Sequence, residues 1–97
     1  MVKKKLPKGW TEGSVQDLLG LADDEAEIVE MRVRLAQKVR EKRRARGLTQ
    51  RELAERIRST QPRVARMEQA GASLEMLIQA LFALGASRKE IGRLLAA

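Results

Sequence analysis

Apolar residues recur along this chain at steps of three and four, and no stretch alternates with the period of two that a strand requires. Ile28, Met31, Leu35 and Val39 make one such stripe. Asp24 with Glu27 three residues on is a capping signature, so the stripe predicts a long helix over about residues 24–46, stopped by Gly47. Four shorter helices follow. Thr49 and Glu52 make a capping box opening QRELAERI, and Thr60 caps QPRVARMEQ. Ser73 caps LEMLIQALFAL with Gly85 beyond it, and Ser87 with Glu90 makes a second box opening RKEIGRLLAA. Upstream, Ser14 can cap a short turn over residues 15–19 that Gly20 would end. The connections are short, so the chain reads as all-α in one compact unit.

The two shortest helices carry the most information. They are joined by a turn of three to four residues, and the second leads with long polar side chains, the arrangement of a helix-turn-helix. In such a unit the first helix crosses the DNA backbone and the second enters the major groove. Leu53, Ala54 and Ile57 on the first and Val64 and Met67 on the second supply the apolar contacts that fix the crossing, and the small Ala54 permits a close approach. With these turned inward, Gln61, Pro62, Arg63 and Arg66 face outward.

Charge points the same way. Twenty Lys and Arg against 13 Asp and Glu give the 97-residue chain a net charge of +7, which favours a polyanion as partner. The distribution is uneven. From Glu12 to Met31 there are seven acidic residues and no basic one, so this stretch carries −7 and the remainder 7 + 7 = +14. Two surfaces of opposite sign suggest two kinds of partner. The chain has no Cys and no His. That excludes disulfides and thiolate metal sites, removes the usual general base, and argues against an enzyme, a metal or a cofactor. No apolar run approaches the roughly 20 residues of a membrane span, so a cytoplasmic protein is expected.

Residues 1–11 are basic and without period, and read as a flexible arm that either tracks a groove or phosphates or serves as a solubilising tail. Residues 12–31 form the acidic segment, and residues 32–97 the helix-turn-helix domain.

RGLTQRELAERI, TQPRVARMEQ and SLEMLIQALFALG stand in this order with little between them, and through them the chain from about Val33 to Leu95 resembles the phage-repressor-like (XRE) helix-turn-helix family. The resemblance implies a five-helix, lambda-repressor-like domain, here with a long first helix and an acidic N-terminal extension, that binds operator DNA as a homodimer. It also implies that Gln50 holds a phosphate and braces Gln61, whose amide can donate to adenine N7 and accept from N6. Arg66 would be a second base reader or a phosphate ligand, Arg63 either, and Pro62 an apolar contact. Arg43 and Glu68 fall where the family has a partly buried salt bridge between its first and third helices. Lys42, Arg44, Arg46, Arg51 and Arg58 become candidate phosphate contacts, with Thr60 at the head of the reading helix. The departures are local. Arg58 and Ser59 stand where the family turn has Gly and an apolar residue, the loop from Glu68 to Ser73 is short, and Ala65 replaces a frequent Ser. Arg in a left-handed conformation costs about 1 kcal/mol relative to Gly.

The stretch DLLGLADDEAEIVEMRVRLAQKVREKRRARGLTQ resembles a subgroup that looks like the antitoxin halves of HigBA-type pairs, whose toxins are basic RelE-like ribonucleases. On that resemblance Asp17, Asp23, Asp24, Glu25 and Glu27 are candidates for holding a toxin; the other reading of the acidic segment is that it docks on the chain's own basic helix or stays solvated. A regulator without a toxin, and an adaptor that uses the same unit on protein or RNA, are the remaining expectations. Ile91, Leu94 and Leu95 leave an apolar face on the last helix and are the expected dimer contact.

Overall fold

Residues 25–97 are described by a computed structural model, as five helices: α1 (Glu25–Ala45), α2 (Gln50–Arg56), α3 (Gln61–Glu68), α4 (Leu74–Ala83) and α5 (Arg88–Ala96). The basic arm, the turn at residues 15–19 and most of the acidic segment, with Asp24 as a cap, lie outside the described residues. From α2 onward each helix opens on the cap its sequence announces. Thr49, Thr60, Ser73 and Ser87 are extended and accept, through their hydroxyls, the N–H groups of Glu52, Arg63, Met76 and Glu90. At the head of α3 the second helical residue is Pro62, whose missing N–H costs nothing there, because the Thr60 cap, like the other three, engages the N–H three residues on, that of Arg63.

The first four helices also end alike. Each closes with a crossed pair of backbone bonds around one left-handed residue, the Schellman arrangement. Gly47 and Leu48 donate to Arg44 and Arg43, and Gly85 and Ala86 donate to Phe82 and Leu81. After α2 the same pair is made by Arg58 to Glu55 at 3.3 Å and Ser59 to Ala54 at 2.8 Å; after α3 it is made by Ala70 to Met67 and Gly71 to Arg66. The left-handed residue is therefore glycine twice and, at Arg58 (φ 54°) and Ala70 (φ 62°), a residue with a Cβ. The unusual turn sequence thus keeps the standard turn and carries the strain. Ser59, in the place of an apolar residue, is left with its hydroxyl oxygen buried and unbonded.

Leu35 and Val39 of α1, Leu53 of α2, Val64 and Met67 of α3, Leu77 and Leu81 of α4, and Ile91 of α5 meet in one core. Each such side chain stabilises the fold by about 1.5–3 kcal/mol relative to exposure. α1 lies along α4 and α5 and also touches α3, while α2 packs on α3. The α2–α3 pair is thereby seated on the long helix.

Two expectations about α5 are corrected. Ile91 is fully buried and Leu95 only 5% exposed, so both point into the chain's own core and do not form a free dimer face; Leu94 is half-buried. The cover they lacked in the sequence is α1, whose Arg34 also donates to the Leu94 carbonyl at 2.9 Å. Ser87 accepts from the Glu90 N–H, but the Glu90 carboxylate reaches across to Lys42 at 3.1 Å, so the second capping box gives way to a tertiary ion pair.

Candidate nucleic-acid interface

α2 places Leu53 and Ala54 inward and α3 places Val64 and Met67 inward, all nearly inaccessible to solvent. The other face of α3 is what remains. Gln61, Pro62, Arg63 and Arg66 are all exposed and lie within its first two turns, at the helix end whose unpaired N–H groups carry partial positive charge. No acidic residue occupies the first turn of α3 to offset that charge, unlike α2, α4 and α5 with Glu52, Glu75 and Glu90.

Behind this face runs a connected polar chain. Gln61 donates from Nε2 to Gln50 Oε1 at 2.7 Å, and Gln50 donates from Nε2 to Glu68 Oε1 at 3.2 Å. Glu68 in turn takes Arg43 edge-on, with Nε to Oε2 at 2.5 Å and Nη2 to Oε1 at 3.1 Å. Arg43 completes its set by donating from Nη1 to the Leu48 carbonyl at 2.8 Å, just past the end of α1. The Arg43 and Glu68 side chains are 11% and 4% exposed. The hydrogen bond to Glu68 raises the Arg43 pKa against the opposing effect of burial, so the cation is firmly held. Helix α3 is thus pinned to α1 through an ion pair and to α2 through an amide pair.

The basic residues divide. Arg44, Arg51 and Arg58 are exposed, and none of them takes part in an ion pair among the described residues. Lys42 is held by Glu90 of α5. Arg46 lies with its guanidinium against Gly85, where any Cβ would collide with it. Thr60 is exposed with its oxygen engaged in capping. Of the acidic candidates, Glu25 and Glu27 are exposed on the first turn of α1, while Asp17, Asp23 and Asp24 lie outside the described residues. Among the described residues no cluster of acidic side chains has the makings of a metal site, and no helix is long and apolar enough to cross a membrane.

Sequence reasoning did not find the Gln50–Glu68 bond, the Lys42–Glu90 pair or the Arg46–Gly85 contact. For the first, the signal was available: once Gln50 braces Gln61 and Arg43 meets Glu68, the two pairs share the space between α2 and α3.

A family model described as a helix-turn-helix domain matches residues 16–88, about three quarters of the chain. No curated protein and no solved structure matches. The match covers α2 and α3 with the whole of α1 and α4, so the geometry and the comparison agree on a domain type characteristic of DNA-binding regulators.

Proposed function

Because this chain belongs to the helix-turn-helix domain family, we propose that it is a sequence-specific transcriptional repressor that reads operator DNA as a dimer and serves as the antitoxin of a basic, RelE-like ribonuclease. The observation that carries the DNA reading is the exposed row Gln61, Pro62, Arg63 and Arg66 at the leading end of α3, backed by the Gln50 amide at 2.7 Å. Gln61 and Arg63 are the base readers, Arg66 reads a base or holds a phosphate, and Pro62 makes apolar contact. Arg44, Arg51 and Arg58, all unpaired in ion pairs among the described residues, supply phosphate contacts, joined by Thr60 and by the one N–H of the Gln50 amide that Glu68 does not take. Lys42 and Arg46 are drawn toward α5 and the end of α4, and they contribute to phosphate binding only if those contacts are exchanged.

The antitoxin reading is supported by charge. A segment of −7 beside a remainder of +14 gives one chain an acidic surface for a cationic partner and a basic one for DNA. Glu25 and Glu27 continue that segment onto α1.

Footprinting of the full chain tests the first part. Protection of paired half-sites about one helical turn apart that survives excess competitor DNA is expected. Binding that is uniform across sequences and abolished by moderate salt would sink the repressor reading and leave the adaptor. The neighbouring gene tests the second part: a small basic ribonuclease, toxic alone and neutralised on co-expression, is expected. A lone gene would leave a free-standing regulator.

A further inference from the structure

Gln50 and Gln61 are both amides, and a primary amide offers a donor and an acceptor that exchange places on a half-turn of its last bond. Two amides facing one another can therefore pair in either polarity. A carboxylate has no such freedom, because when ionised it only accepts. Glu68 Oε1 stands 3.2 Å from Gln50 Nε2, and both of its carboxylate oxygens accept from the fork of Arg43. Its presence forces Gln50 to turn its NH2 inward and its oxygen outward. That oxygen in turn forces Gln61 to direct one N–H at it, at 2.7 Å. What Gln61 then has left is one N–H and its own oxygen, in one order.

We infer that Glu68 is a positioning residue for base recognition: through Gln50 it sets the polarity of the Gln61 amide, and so which order of donor and acceptor on a base edge the reading helix accepts. The inference rests on the proposal that Gln61 reads a base. The edge that suits the retained groups is adenine's, with N7 as acceptor and N6 as donor in adjacent positions. With the polarity reversed, the oxygen of Gln61 would face N7 and its NH2 would face N6, and both contacts would be repulsive. Glu68 thus acts on specificity from inside the domain, with its side chain 4% exposed and behind two other side chains. The ion pair with Arg43 has a purpose beyond joining α1 to α3: it fixes the position of the accepting oxygen at the root of the relay.

Enrichment of bound sequences from a random duplex library, using the full chain, tests this. The native protein should yield a motif with one column that prefers adenine roughly ten- to hundredfold and that Gln61→Ala erases, the discrimination of one good bidentate pair. Glu68→Gln, whose amide can face Gln50 either way round, should lower the preference in that column to about twofold while the columns due to the arginines persist. Arg43→Met with Glu68→Leu, an apolar replacement that keeps the fold, should flatten the same column. Arg43→Lys lowers stability but keeps a cation beside the Glu68 carboxylate, and should keep the column. An unchanged adenine column in Glu68→Gln and in the double variant overturns the inference, as does a column lost in Arg43→Lys in proportion to stability. A native motif in which no column depends on Gln61 overturns it and leaves the repressor reading standing. The absence of any native motif removes both.

Discussion

Arg43 on α1 and Glu68 on α3 meet as a fork on a carboxylate, Nε 2.5 Å from Oε2 and Nη2 3.1 Å from Oε1, with little of either side chain in contact with solvent. Two charges so placed lose most of their hydration, and their mutual attraction roughly offsets that loss, so the pair as a whole adds little net stability. Its members are not independent. Arg43→Met or Glu68→Leu alone strands a buried charge and is expected to cost about 3–5 kcal/mol, whereas the two together should fall near the native stability or above it. Urea unfolding of the four proteins in a double-mutant cycle measures this. Single variants that lose less than about 1 kcal/mol would mean that the pair behaves as a solvated one.

The turns that close α2 and α3 store strain that can be removed. Arg58 at φ 54° and Ala70 at φ 62° hold the left-handed positions that glycine fills after α1 and α4. Arg58→Gly and Ala70→Gly should each stabilise the fold by up to about 1 kcal/mol, read as a higher urea midpoint at an unchanged slope. Gly71→Ala should do the reverse, since its Cβ would stand 3.0 Å from the Arg66 carbonyl oxygen at the end of α3. A neutral or destabilising Arg58→Gly would show that the arginine side chain does more for the free domain than the strain costs.

The same substitution separates stability from binding. Arg58, Arg51 and Arg44 are proposed phosphate contacts, so removing any one should weaken DNA binding for all sequences alike and lower the salt slope by about 1. Gln61→Ala or Arg63→Ala should instead cost about 1–3 kcal/mol on the preferred site alone and relax one position of it. Affinity measured against salt on a selected and a scrambled duplex makes the distinction. A salt slope that is unchanged in Arg51→Ala and Arg58→Ala would remove them from the interface.

What could be read from the residues in order were the features whose hydrogen bonds close within a turn. Thr49, Thr60, Ser73 and Ser87 bond three residues ahead, and each cap is where its spacing places it. Helix ends at Gly47 and Gly85 were equally visible, because glycine itself is the signal. Arg58 and Ala70 make the same turn without that signal, so only the backbone reveals it. Glu90 shows the limit from the other side: its local spacing fits a capping box, but Lys42 lies 48 residues away in sequence and 3.1 Å away in space. Ile91 and Leu95 fail for a related reason. Periodicity identifies an apolar face but not its cover, and α1 covers this one.

The capping box of α2 makes the stability of the recognition unit depend on pH. Glu52 accepts the Thr49 N–H at 2.9 Å, and this bond, followed by the one to the Thr49 side chain, holds its carboxyl below the ordinary value near 4.5. A depressed folded pKa means that the unfolded chain takes up the proton first as pH falls. The contribution of Glu52 is therefore complete above the ordinary carboxylate range and is lost as pH drops through the folded value. At neutral pH Thr49→Ala should cost about 1 kcal/mol, the usual effect of losing such a cap. Glu52→Gln removes only the titrating member. Its deficit relative to the native chain should be present at neutral pH, shrink below pH of about 4.5, and vanish once both states are protonated. Paired urea titrations from neutral to acid pH follow that difference directly, and one that stays constant across the range would show that the carboxylate of Glu52 does not stabilise α2 through its charge.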